Sequence, residues 1–548
     1  MTDLIIVQGD EEYRVFSNPG TTYLYRIGSG KIVGRECLLI NNSNRLSEIA
    51  ENIRDEYSEW IHSFNAIFQK HRFVHDDLSL FFVSDLSCKR TEIFDTFNIV
   101  CNCILIEEIL RDVDIDHLIL FNSSASFRRA IYSVFPVAKK TNHNPINNTN
   151  LMFRRFLSNV RFLSEIAVVG VLNLLTRDSI KEDISKSGRY FFSIYPKMTA
   201  SNGIDSKYGD LVGIEDKYAV SIVSDGMHQH ATIRRYLRWK KSLPKQSYAL
   251  VDSFIRPSDC LKGIYNYLRL FLFSRGLVAT NYKFRRIDIS GYIKDEIGQS
   301  VSRINRLILL GGVFDRFCQF HQPKEFVYYL HEYALGRMIS WVLASKHPRV
   351  LKIGFQHGPA SWRKLLYFLA PTELASANSP FLERVPIPDQ IMAEDQESKL
   401  LYEYSGYRNV QVMEKVGRLE YLDKVNVSKH SRLILIAPGL HDGLAMMRFM
   451  RARIELKEDE FVVKPHPLAN NLYLSEFSDL SNLEVSFRPI FELLSIAGII
   501  FVTYSSVGVE AYQLGLKVYV INIPGRVNET PLISRDGVSI SKQIQILE

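Results

Sequence analysis

The chain has 548 residues, 46% of them hydrophobic, 12% aromatic and 23% charged, and carries a net charge of +7. So many aromatic and aliphatic residues exclude a largely disordered chain and allow roughly two to four domains with sizeable cores. The small positive balance suits anionic small molecules or an anionic surface, and without an arginine-rich block no nucleic-acid partner is expected.

The N-terminal MTDLIIVQGDEEYRVF lacks the basic segment and long apolar run of a signal peptide. Residues 1–40 read as short strands with turns at Asn18-Pro19-Gly20 and Gly28-Ser29-Gly30. Helical spacing then runs over Leu46–Gln69, LSLFFV (78–83) reads as a buried strand, 90–110 as a helix, and HLILF (117–121) as a strand. The polar stretch 142–150 reads as a loop. After it come a long apolar helix over 151–176 and strands at 191–195, 218–223, 248–254 and 326–330. A further helix runs from 332 to 345, and VLKIGF (350–355) closes this half. The apolar run Ile166–Leu175 is shorter than the ~20 residues that span a bilayer. Six cysteines without a Cys-x-x-Cys pair fit reduced thiols. A cytoplasmic protein is expected, at most peripheral on the cytoplasmic face of the inner membrane, with assembly proteins as partners there.

Five prolines between 359 and 390 mark a crossover, after which strand and helix alternate again: Gln390–Ala393, VQVMEKVG, LILIAPG, FVVKPHP, LEVSF, GIIFVTYSS and KVYVINI. Such alternation predicts an α/β fold with parallel sheets. The expected division is 1–358, a crossover at 359–390, and a compact doubly wound unit over 391–548.

Three strand ends in that last unit carry chemistry. FVV runs into Lys464-Pro465-His466-Pro467, where two prolines stop the strand and hold an imidazole at its carboxyl end. GIIFVTY runs into Ser505-Ser506-Val507-Gly508-Val509-Glu510, where hydroxyls and the first N–H groups of a helix make an anion site. LILIA runs into Pro438-Gly439-Leu440-His441-Asp442-Gly443, a loop that a ligand can approach closely. The plainer alternatives are a turn, a helix cap and a loop. No Walker A or GxGxxG follows a strand, which weighs against ATPase and dinucleotide readings. No His/Cys cluster calls for a metal, and no cofactor is expected.

The KPHP segment, the Ser-Ser pair and the glutamate four residues on resemble the nucleotide half of bacterial surface-polysaccharide transferases. These are the Kdo transferases of capsule synthesis, the HP-motif sialyltransferases and the CDP-glycerol polymerases of teichoic acid. The order from Ser505 to Gly515 also resembles UDP-GlcNAc epimerases, and Gln356-His357-Gly358 resembles the segment ending the first domain of such transferases. The resemblance implies a GT-B fold, two Rossmann-like domains facing across a cleft. It implies a metal-independent glycosyltransferase moving a CMP-activated acidic sugar, such as Kdo or a nonulosonic acid, to a capsule or O-antigen glycan, free or lipid-linked. Lys464, His466, Ser505 and Ser506 would hold the donor phosphate, Glu510 the ribose, and Gly439 would lie against the nucleotide. His357 would line the cleft. The sialyltransferase base falls at Asp225 in Ser224-Asp225-Gly226, although the preceding acid of that motif is absent; Glu332 is the second candidate. His228 and His230, close behind, read as surface residues. A CDP-glycerol-type glycerophosphotransferase, an epimerase and a non-catalytic assembly module are the alternatives.

Overall fold

The computed structural model describes residues 2–15, 20–145, 151–175, 188–194, 205, 207–222, 248–374, 379–428, 432–455, 459–467, 469–532 and 544–547. The fold is α/β, as expected, and its three large sheets are entirely parallel. Two of them are the Rossmann-like sheets of the expected fold; a third precedes them.

In the N-terminal sheet the strands lie in the order Leu38–Leu39, Thr21–Ile27, Thr2–Gln8, His117–Phe121, Lys139–His143. The middle sheet runs Tyr248–Leu250, Lys217–Ser221, Arg189–Ile194, Glu325–Tyr328, Leu351–Phe355, Gln390–Ala393, Val410–Val412. The C-terminal sheet runs Leu483–Val485, Phe461–Val463, Leu433–Ala437, Ala497–Val502, Lys517–Ile521, Ile544–Leu547. In chain order each starts third–second–first–fourth, the doubly wound pattern. Its crevice opens where the first and fourth strands diverge. Strands such as LIIV (4–7) and LILIA (433–437) are apolar on both faces because helices or a neighbouring sheet cover both.

Two expectations change. Gln390–Ala393 and Val410–Val412, read as the start of the last unit, pair with Leu351–Phe355 and close the middle sheet instead. Val74–His75 and Leu78–Ser79 form only a short antiparallel pair, and Leu80–Val83 is a buried run of turns. An apolar run reports burial, and only backbone pairing makes a strand. One continuous apolar core runs from Leu4 to Met413 through the first two sheets, whereas the C-terminal sheet has its own clusters on its two faces. The packing break therefore falls after Met413, not at the proline-rich segment.

The 32-residue helix Ser290–His321 runs through the shared core. It buries Glu296, whose carboxyl accepts from the Thr96 hydroxyl. Burial pushes this group from 4.5 up to about 8, with Asp85 and Asp295 adding repulsion. The folded state therefore holds a proton that the unfolded chain releases, so stability falls as pH rises from about 4.5 to 8. Glu296→Gln should remove that slope, melting near the parent at pH 4.5 and gaining up to about 5 kcal/mol above pH 8. Urea titrations at both pH values measure it, and parallel pH profiles for the two proteins would refute it.

Candidate functional site

Leu433–Ala437 and Ala497–Val502 are the first and fourth strands of the C-terminal sheet and lie side by side, Ala437 opposite Val502. Their loops leave the sheet together at the switch point. The Gly439 N–H donates to the Thr503 hydroxyl at 3.2 Å, and the His441 N–H to the Tyr504 hydroxyl at 3.2 Å. A Cβ on Gly439 would stand 2.6 Å from the Tyr504 ring, so the glycine admits that ring. Phe461–Val463 flanks the first strand on its other side and delivers Lys464 and half-buried His466 to the same edge. Burial, and then the nearby His441, lower the His466 pKa, which favours the neutral imidazole.

Ser505 and Ser506 open the short helix Val507–Gln513. Ser506 makes no side-chain cap, and Ser505 Oγ accepts only a long 3.4 Å bond from the Val507 N–H. Both hydroxyls are partly exposed at the strand edge, unlike a cap that one serine would satisfy. Gly508 serves packing, since a Cβ there would press on Val502 at 2.9 Å.

Glu510 is buried and already engaged. It accepts from the Tyr421 hydroxyl at 2.5 Å and faces Arg418 at 3.7 Å. Arg418 also donates to Glu394 at 2.6 Å, so one guanidinium joins a carboxylate of the middle unit to one of the C-terminal unit. A ribose at Glu510 would have to share it with these partners. Beside them lies a cleft of about 340 Å³ between the two units, lined by Pro359, Ala360, Glu394, Ser398, Arg418 and Val509 among others. His357, His466 and Ser505 are not among the residues that line it.

On the facing side, Gln356 ties the loop after Leu351–Phe355 to its neighbours. Its amide donates to Gly358 O at 2.9 Å and Ser398 Oγ at 3.1 Å and accepts from the Glu394 N–H at 2.9 Å. That clamp positions His357, whose ring lies 5.7 Å from the Tyr329 ring and whose buried Nδ1 has no hydrogen-bond partner. Burial, reinforced by Lys207, Lys364, His331 and Arg418, holds its pKa well below the usual value, so it is a neutral base. Lys207 sits 4.2 Å over the Tyr329 ring, its pKa lowered by burial to about 8.

Glu332 does not join this group. It is 1% exposed, and its Oε1 accepts from the Tyr402 hydroxyl at 2.6 Å with His331 at 3.3 Å. Leu330, at φ +62°, turns the chain inward there, and Gly336 lets the next helix close over it, a Cβ falling 2.2 Å from Leu330 O. A carboxylate sealed in this way is out of reach of an acceptor in this structure. Asp225, with His228 and His230, lies outside the described residues.

Sequence reasoning passed over Asp442 and Arg418. Burial pushes the Asp442 carboxyl up to about 6, and both of its oxygens are buried without a well-formed hydrogen bond, although Thr503 and Gly439 lie beside it. It stood within the quoted Gly439 loop; nothing marked it as buried. Among the described residues, no group of three His, Cys, Asp or Glu side chains is placed to hold a metal ion.

No family model matches the sequence, and no curated protein does. Solved structures similar to the chain include the UDP-GlcNAc 2-epimerase of Neisseria meningitidis bound to UDP-GlcNAc (14% identity, 61% of this chain and 81% of that one, TM-score 0.34). The wall teichoic acid polymerase TagF (14% identity, 69% and 79%, TM-score 0.27) and a calicheamicin glycosyltransferase (8% identity, 61% and 80%, TM-score 0.34) are others. At these TM-scores the likeness carries nothing further, and the fold class stands on the chain's own strand order.

Proposed function

We propose that the chain is a GT-B-type glycosyltransferase that binds a nucleotide-activated sugar at the carboxyl edge of its C-terminal sheet. The convergence of Gly439, His466, Thr503 and Ser505 on adjacent strand ends, first and fourth included, is the observation that carries this reading. An anion there would meet two hydroxyls, Lys464 and a neutral imidazole. The resemblance of the KPHP and Ser-Ser segments favours a CMP-linked acidic sugar as donor and a capsule or O-antigen glycan as acceptor, in the cytoplasm. Glu510 would take the ribose by exchanging its bond from Tyr421. His357 or Asp225 would take the acceptor proton. The neutral, unpartnered Nδ1 of His357 also favours a second reading, a glycerophosphotransferase in which that histidine is the base.

Calorimetry with CMP, CDP and UDP tests the site. The parent should bind one of them, and His466→Ala and the Ser505→Ala/Ser506→Ala double variant should each bind it at least about tenfold more weakly, as expected for lost phosphate hydrogen bonds of about 1.5–3 kcal/mol. Melting points should stay near the parent's. Unchanged nucleotide affinity in both variants would move the donor site elsewhere.

A further inference from the structure

The helices Leu151–Leu175 and Pro257–Ala279 pack against each other and against Ser290–His321 on the flank of the middle unit. They cross closely through small residues. A Cβ on Gly170 would stand 2.6 Å from the Pro257 nitrogen, and one on Gly263 would stand 2.4 Å from Leu163. Large apolar side chains point the other way. Leu261, Tyr265, Leu268 and Leu272 recur every three or four residues on the outer face of one helix, with Leu261 71% exposed. Phe153, Phe156, Leu157 and Leu174 form the matching stripe on the other. A monomeric soluble protein rarely leaves so large a continuous apolar surface in water.

The charges around this face are of one sign. Helix Pro257–Ala279 contributes Lys262 and Arg275, and Leu151–Leu175 contributes Arg154 and Arg161, whereas Arg155 and Arg269 turn inward, Arg155 donating to Asp295 O at 3.1 Å. Their acids are spent: Asp259 is buried against Arg316, and Glu165 pairs with Arg161 at 3.3 Å. Arg154, Lys262 and Arg275 have no ion pair among the described residues. A second copy of the chain docked face to face would bring like charges together, which disfavours a symmetric dimer. An anionic lipid surface meets both features at once, acyl chains beneath the apolar rows and phosphates beside the cations.

We propose that this helical pair is the face by which the protein lies on an anionic membrane. Phe153–Leu175 is long and apolar enough to cross a bilayer by length and composition. Its inner face, however, is committed to the fold: Asn173 donates to Asp252 O at 2.8 Å and Ile255 O at 3.1 Å, and Phe162, Ile166 and Val169 are core residues. The helix therefore lies in the interface plane and does not span it. This inference stands whether or not the donor site is where we place it.

Co-sedimentation of the full chain tests it, with vesicles of phosphatidylcholine alone and with added phosphatidylglycerol. The parent should bind the anionic vesicles at least tenfold more tightly than the neutral ones and be released by high salt. Leu261→Glu/Leu268→Glu should lose binding to background. Lys262→Gln/Arg275→Gln should weaken it several-fold and flatten the salt dependence. If the glutamate variant misfolds, Tyr265→Trp fluorescence provides a second reading: quenching by brominated acyl chains beyond the parent's supports the proposal, and none overturns it. Failure to bind either vesicle also overturns it. So does a parent dimer, seen by sedimentation velocity, that Leu261→Glu/Leu268→Glu dissociates, because the face would then belong to a second copy.

Discussion

Glu373→Ala is expected to destabilise the shared N-terminal core by about 3–5 kcal/mol, the cost of stranding a buried charge. Glu373 and Lys89 are wholly buried, with Lys89 Nζ donating to Glu373 Oε1 at 2.7 Å. Lys89 has few alternatives: its remaining partner is Ser87 O at 3.3 Å, and Arg337, also buried, adds repulsion. Burial already lowers the Lys89 pKa, so without its carboxylate the amine would give up its proton or pull water inward. Replacing both partners by apolar residues of similar size, Lys89→Met with Glu373→Leu, should recover most of the loss. Urea unfolding followed by tryptophan fluorescence reads all three variants. A double variant no more stable than Glu373→Ala would mean that the damage is steric and that the ion pair is incidental.

Arg418→Ala should be nearly as damaging and should carry a pH signature. Without the guanidinium, Glu394 and Glu510 face each other across the contact between the middle and C-terminal units. Burial already raises the Glu394 pKa against the pull of Arg418, and losing that pull would raise it further. A carboxyl with a raised folded pKa loses stability as pH rises, so the variant's deficit should be larger at pH 8 than at pH 5. Nucleotide binding should fall with it, because Glu510 would lose one of its two supports. A deficit equal at both pH values would show that Arg418 acts through packing alone.

The strands of the C-terminal sheet were legible because parallel strands buried on both faces are written as unbroken apolar runs, as in LILIA and GIIFV. Gly439, His466 and Ser505 were legible for a related reason: each ends such a run with a residue type suited to a turn and to an anion. Sheet membership was not legible. Nothing in QIMA or VQV says which sheet they join, and that is settled by packing on Leu351–Phe355. The partners of Glu510 were equally hidden, since Tyr421 lies 89 positions away and reaches it only through tertiary structure. Glu332 misled because a strand-end acid looks the same in sequence whether the following turn faces outward or, as at Leu330, inward.

The loop after Lys517–Ile521 reaches back to the N-terminal sheet. The Gly28 N–H donates to Pro524 O at 2.9 Å, and the amides of Asn98 and Asn102 both donate to Gly525 O at 3.0 Å. Gly525 stands at φ +66° with Arg26 O 2.5 Å from where a Cβ would be, so no other residue fits. Asn102 and Gly525 are 423 positions apart. At a ribosomal pace of about 5–20 residues per second, Asn102 is made roughly 20–85 s before the carbonyl that completes its polar contacts. During that interval both amides lack the Gly525 acceptor. A segment made late is thus the clasp that finishes one made early.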